Sequence, residues 1–216
     1  MFGCLRRLGC LVLLALIAAV WYWYARVEPA RSGKTGSSYV AGAWEPLSLP
    51  NAVKGQRAVE SIRQRSGPVF ANLSASEAAS YIFLAASKGQ LPPSAQEVSS
   101  SIIGDRLYVR TMLALNELGV KKILGPLAGM LSERDSVLLG GTMKVIRPGL
   151  GQFLVEDVKI GALKIPSPLI PGLVGEIRRG VLPAGVAQNG FPMPLPDYIS
   201  DIRITNGRIT VYKNTP

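Results

Sequence analysis

Ser136–Gly161 reads SVLLGGTMKVIRPGLGQFLVEDVKIG. Two runs rich in β-branched and large apolar side chains flank Pro148-Gly149, a dipeptide that punctuates strands, so the segment predicts a long antiparallel hairpin. Strict alternation along its second arm puts Phe153 and Val155 on one face, with Leu154, Val158 and Ile160 on the other. Both faces are then apolar. An antiparallel sheet with one wet face alternates cleanly, so this one needs a cover over its second face. Helices would serve, and so would a guest molecule.

Further hairpins flank it. In SSSIIGDRLYVRTMLAL (Ser99–Leu115) two extended runs join at Gly104-Asp105, with Leu107, Val109, Leu113 and Leu115 on one face. Tyr108, Arg110, Met112 and Ala114 lie opposite. Near the C-terminus, YISDIRITNGRITVYK (Tyr198–Lys213) carries Asn206-Gly207, the strongest short hairpin signal because both turn positions accept positive φ. Ile202 and Ile204 pair there with Ile209 and Val211, while Arg203, Thr205 and Arg208 face water.

Helical patterns lie between the strands. Ala52, Val53, Ala58, Val59 and Ile62 recur at helical spacing in Asn51–Gly67, with Lys54, Arg57, Arg63 and Arg65 on the solvated face. After a short strand near Val69-Phe70, Ser74 and Glu77 form a capping box. The helix it opens has a buried stripe of Ala78, Ala79, Ile82, Phe83 and Ala86. Val120–Leu131 predicts a short amphipathic helix interrupted at Gly125-Pro126. The expected class is α+β: a curved antiparallel sheet of hairpins packed with several short helices, occupying residues 51–216.

Lys159–Leu173, KIGALKIPSPLIPGL, follows the long hairpin. Pro166, Pro168 and Pro171 lack an N–H, so the stretch can stay extended without hydrogen-bond partners. Its apolar side chains predict a rim or lid over a greasy cleft.

Composition narrows the chemistry. The 216 residues include no histidine, which removes the commonest general base and metal ligand. Cys4 and Cys10 both sit at the extreme N-terminus, leaving the body without a disulfide, thiolate metal site or cysteine nucleophile. Glu133/Asp135 and Glu156/Asp157 are the nearest acidic pairs, and adjacent strand residues point to opposite faces unless a bulge intervenes. Neither a G-x-S-x-G elbow nor a P-loop occurs. No catalytic residue, metal or cofactor is assigned. Lys and Arg outnumber Asp and Glu by 24 to 14, a net charge of +10. The cations are dispersed apart from Lys121-Lys122 and Arg178-Arg179, which suits an anionic phospholipid surface better than nucleic acid.

The N-terminus supplies a membrane. Arg6 and Arg7 precede an uncharged run from Leu8 to Tyr24 that, as a helix, spans about 25 Å, and Trp21-Tyr22-Trp23-Tyr24 suits an interface. A cleavable signal peptide is the rival, but bulky aromatics stand where small cleavage-site residues would be needed. Cys10 lies near the start of the run, so it is no lipoprotein cysteine. Residues 1–24 are read as a single transmembrane anchor with its N-terminus inside, and residues 25–50 as a flexible tether. The body then faces the periplasm or exterior of a cytoplasmic membrane.

The order LSASEAASYIF, DRLYVRTMLAL, VEDVKIGALKIPSPLI and LPDYISDIRITNGRITVYK resembles bacterial membrane-anchored envelope proteins of the YpmS/LmeA type, similar in organisation to tubular lipid-binding and AsmA-like domains. The resemblance covers residues 69–213. It implies a curved sheet and helices around an apolar cavity that accommodates lipid. The expected function is binding of an acyl-chain or polyprenyl-like membrane lipid. Leu107, Val109, Leu113, Phe153, Val155, Leu163, Ile165, Leu169, Ile170 and Leu173 would line or cover the cleft, with Arg178 and Arg179 at the headgroup. The alternative is a scaffolding envelope protein with a filled core and a protein partner on its surface.

Overall fold

A computed structural model of the protein describes residues 43–64, 66–86, 94–118, 123–178 and 181–214. The proposed anchor (1–24), the tether up to residue 42 and Arg179 lie outside the described residues. Among the described residues no helix is long and apolar enough to cross a membrane.

The class is α+β. Among the described residues, mainly antiparallel sheet is accompanied by three short helices. The ordered body starts earlier than residue 51. Strand β1 (Glu45–Pro46) pairs with Ser99 and Ser100, and helix α1 (Leu49–Ser61) begins with Ser48 as N-cap and Pro50 in the first turn. A proline there forfeits no helical hydrogen bond and has the right φ. The expectation of a tether running to residue 50 is therefore corrected: Glu45–Pro46 and Leu49–Ser61 belong to the folded body.

Strand β2 (Phe70–Leu73) leads into α2 (Ala75–Ser80), where Ser74 and Glu77 form the capping box, and a π-helical turn follows at Tyr81–Ala86. Strands β3 (Gln96–Ile103) and β4 (Arg106–Ala114) turn at Gly104-Asp105. Two 3-10 turns, Leu115–Leu118 and Gly125–Met130, precede β5 (Arg134–Arg147). Strand β6 (Leu150–Ile160) returns through Pro148-Gly149, where Gly149 has φ +81. Next come β7 (Leu163–Lys164), a 3-10 turn at Ser167–Leu169, α3 (Ile170–Arg178) and β8 (Gly190–Pro194). The chain finishes with β9 (Ile199–Thr205) and β10 (Arg208–Lys213), joined by Asn206 and Gly207 at φ 51 and 73.

The larger sheet runs β1-β3-β4-β5-β6-β7, with β8 also on β6; β2-β10-β9 form a second sheet, and neither closes into a barrel. Strand β9 packs on β5, α2 on β3, and α3 on β6 and β8, all contributing to one hydrophobic core. Small residues permit the α2 contact: Ser76, Ala79 and Ser80 on the helix and Ser100 on β3 are all completely or almost completely buried.

The long hairpin corrects the expectation of two apolar faces. Gly140 pairs with Asp157 but Gly141 with Val155, leaving Glu156 as the extra residue of a β-bulge. A bulge changes the parity of a strand. Phe153 and Val155 before it, and Val158 and Ile160 after it, therefore all enter the core. Leu154 on the opposite face is half-buried. One apolar face remains, and the second sheet with its helices covers it.

The proline segment differs too. Only Pro166 is extended; Pro168 and Pro171 sit at the starts of helical turns, where their fixed φ favours initiation. Ile165 donates its N–H to the Val158 carbonyl (2.9 Å), and Ile170 and Leu173 point into the core. The segment closes the core instead of hanging as a lid.

Candidate functional site

The residues expected to line a lipid cleft are brought together, but around one another. Leu107, Val109, Leu113, Phe153, Val155, Ile165, Ile170 and Leu173 are buried members of the core, and Leu163 and Leu169 pack on its margin. None of them lines the cavities below. Arg178, expected at a headgroup, instead ties α3 to the loop before β8. Its Nη1 donates to the Gln188 carbonyl (3.2 Å) and the Gly190 carbonyl (2.8 Å).

The acidic pair at the bulge is held by separate partners. Glu156 accepts from Arg106 (3.2 Å) and from Thr142 (3.3 Å), whereas Asp157 faces Tyr108 Oη (3.5 Å) and Lys164 Nζ (3.8 Å). Among the described residues no cluster of acidic or sulfur ligands is arranged to hold a metal ion.

Among the described residues a half-open cleft of about 740 Å³ lies where β4 ends and β5 begins. Leu115, Ala128 and Leu131 supply its apolar wall, Gly125 and Gly129 widen it, and Asn116, Ser132, Glu133 and Arg134 edge it. Its volume lies in the range of small-molecule sites, roughly 300–1,000 Å³. Leu115 donates its N–H to the Glu133 carbonyl (2.9 Å), which ties the cleft to the residue just before β5. A Cβ at Gly129 would meet nothing within 4 Å, so that wall faces open space.

A second pocket, about 510 Å³, has a different lining. Gln56, Glu60 and Arg63 recur once per helical turn along α1 and its end, opposite Tyr81 and the Pro196–Tyr198 turn. Gly55 permits this meeting: a Cβ there would stand 2.5 Å from the Glu77 carbonyl oxygen of α2 and 3.1 Å from Tyr81 Cβ, and would push both away. Tyr198 Oη donates to the Val59 carbonyl (3.2 Å), and Gln56 Nε2 donates to Glu60 Oε1 (2.7 Å). Beneath the pocket, sharing Val59, Tyr81 and Pro196 with it, lies a wholly apolar seam of about 30 Å³ that also touches Ile82, Met193 and Leu195.

No family model, curated protein or solved structure matches this chain.

Burial raises the Tyr81 phenol above its ordinary value, and Glu60 adds to the effect. Burial does the same for Tyr198, helped by Tyr81 and Glu60 and opposed by Arg63. A folded-state pKa above the unfolded value contributes stability that is intact below the unfolded pKa and lost as pH rises through the folded one. The melting temperature should therefore fall as pH is raised from about 9 to about 11. Tyr81→Phe, which cannot ionise, should give a shallower fall in parallel thermal melts. Equal slopes for both proteins would show that this phenol does not titrate with unfolding.

Neither cavity was legible in the sequence. Each is assembled from segments distant in the chain, and their polar members are individually unremarkable surface residues.

Proposed function

We propose that this chain is a single-pass envelope protein, anchored in the cytoplasmic membrane by residues 1–24 with its N-terminus inside. Its α+β body, on the periplasmic or extracellular side, binds the apolar chain of an acyl or polyprenyl-like lipid. The cleft between Leu115, Ala128 and Leu131 carries this reading, because it combines room for a guest with a mainly apolar wall. The N-terminal apolar run, the net charge of +10 and the YpmS/LmeA-type motifs support the same setting. Ten buried methylenes would contribute about 8 kcal/mol before ordering costs, so no special chemistry is needed. Arg134, at the rim, is placed for an anionic headgroup, although its Nη2 also donates to the Ser94 carbonyl (3.3 Å).

Gly129→Trp tests the assignment, since it fills the cleft from a position that touches no core side chain. The full chain in maltoside micelles should bind a fluorescent sixteen-carbon acyl probe. The variant should bind it at least about tenfold more weakly, a loss of about 1.4 kcal/mol, with an unchanged melting temperature. Equal binding by the two proteins would remove the guest from this cleft.

The filled core favours a second reading, a scaffolding domain whose partner is another envelope protein. In-cell photo-crosslinking from position 129 separates the two. A lipid adduct supports the carrier, and a stoichiometric protein adduct supports the scaffold.

A further inference from the structure

We propose that the pocket formed by Glu60, Arg63, Tyr81, Asp197 and Tyr198 binds a small zwitterionic group, an ammonium joined to a phosphate or carboxylate. This site is separate from the lipid cleft and does not depend on it. Two carboxylates and one guanidinium give the pocket a local charge of −1 on a chain whose net charge is +10. A cation is therefore favoured here on a surface that repels cations elsewhere.

Glu60 accepts one neutral hydrogen bond, from Gln56, but none of the three charges is neutralised by a partner. Among the described residues Glu60, Arg63 and Asp197 form no ion pair, whereas ion pairs occur at Arg106–Glu156, Lys164–Asp157 and Arg203–Asp201. The aromatic rings complete the chemistry. Tyr198 is held by its bond to the Val59 carbonyl, and Tyr81 by the close crossing of α1 and α2 that Gly55 allows. Both phenols are neutral at physiological pH, as an ordinary tyrosine is, and burial raises them further. Two neutral tyrosine rings beside two carboxylates suit an ammonium ion, through ring faces and charge together. Arg63 remains for the anionic half, whose planar or tetrahedral oxygens fit its fork of donors.

The source of the group is either a free solute or the head of a lipid. The apolar seam beside the pocket, about 30 Å³, has no room for an acyl chain, so the chains of such a lipid would lie outside the pocket.

Titration calorimetry on the full chain in maltoside micelles provides the test, with phosphocholine, choline, inorganic phosphate and dihexanoyl phosphatidylcholine as probes. Phosphocholine should bind saturably and more tightly than either choline or phosphate. Glu60→Gln combined with Asp197→Asn, and separately Arg63→Gln, should each weaken it at least about tenfold. All three positions are exposed, so melting temperatures should not change. A tighter fit for dihexanoyl phosphatidylcholine identifies a lipid head, and equal affinity identifies a free solute. Absence of phosphocholine and dihexanoyl phosphatidylcholine binding, inorganic phosphate binding as tightly as phosphocholine, or variants with wild-type affinity would overturn the proposal.

Discussion

Phe153→Ala should destabilise the protein by about 3–5 kcal/mol and lower its melting temperature by on the order of 10 °C. Phe153 is 2% exposed and sits in β6 opposite Met143 of β5 and Phe191 of β8. Strands hydrogen-bonded on both sides cannot move inward to fill the space a lost ring leaves, so most of the cavity would persist. A domain is typically stable by only 5–15 kcal/mol, and the loss is a large fraction of that. The measurement also separates two roles for this side chain. A residue lining a lipid cleft would change lipid affinity at nearly constant stability, whereas a core residue changes stability first. A variant that melts at the wild-type temperature would remove Phe153 from the core.

Gly141→Ala should cost about 3 kcal/mol or more, above the usual range for overpacking. Gly141 lies at the bulge, and a Cβ there would overlap the Leu154 carbonyl oxygen and stand 2.9 Å from the Leu154 carbonyl carbon. Those are backbone atoms of the paired strand. Relief therefore requires β5 and β6 to separate where the core is centred, whereas a clash with a side-chain tip could be rotated away. Gly129→Ala is the control, because its Cβ meets nothing within 4 Å and should be close to neutral. Urea unfolding of the two variants beside the wild type checks the pair. Similar midpoints for both would mean that the strands at the bulge are less closely apposed than described.

How much of this was readable depends on the range of the signal. The capping box at Ser74 and Glu77 and the turns at Gly104-Asp105, Pro148-Gly149 and Asn206-Gly207 lie within four residues of themselves, and each occurs as the sequence indicates. The start of α1 was misplaced because Leu49 and Pro50 look like linker, although Ser48 before them is a good N-cap. Val53, counted in the buried stripe of that helix, is 45% exposed, and Gly55 is buried in its place because α2 crosses there.

The expectation of a second apolar face on the long hairpin failed for one physical reason. Alternation assumes an unbroken pleat, and a single extra residue at Glu156 exchanges the two faces for everything beyond it. The apparent surplus of apolar surface was that parity error. Unbroken alternation puts Val158 and Ile160 on the second face, whereas both are fully buried beside Val155.

By itself the sequence determined the α+β class, the hairpins and their turns, the cap of α2 and the apolar face of the C-terminal hairpin, because these follow from φ preferences and spacing over a few residues. Tertiary structure alone decided that the proline segment seals the core, that Arg178 clamps a loop, and that Tyr81 meets Tyr198 across a charged pocket. Those outcomes depend on which backbone carbonyls and side chains arrive from elsewhere in the chain, and such arrivals leave no mark in local spacing.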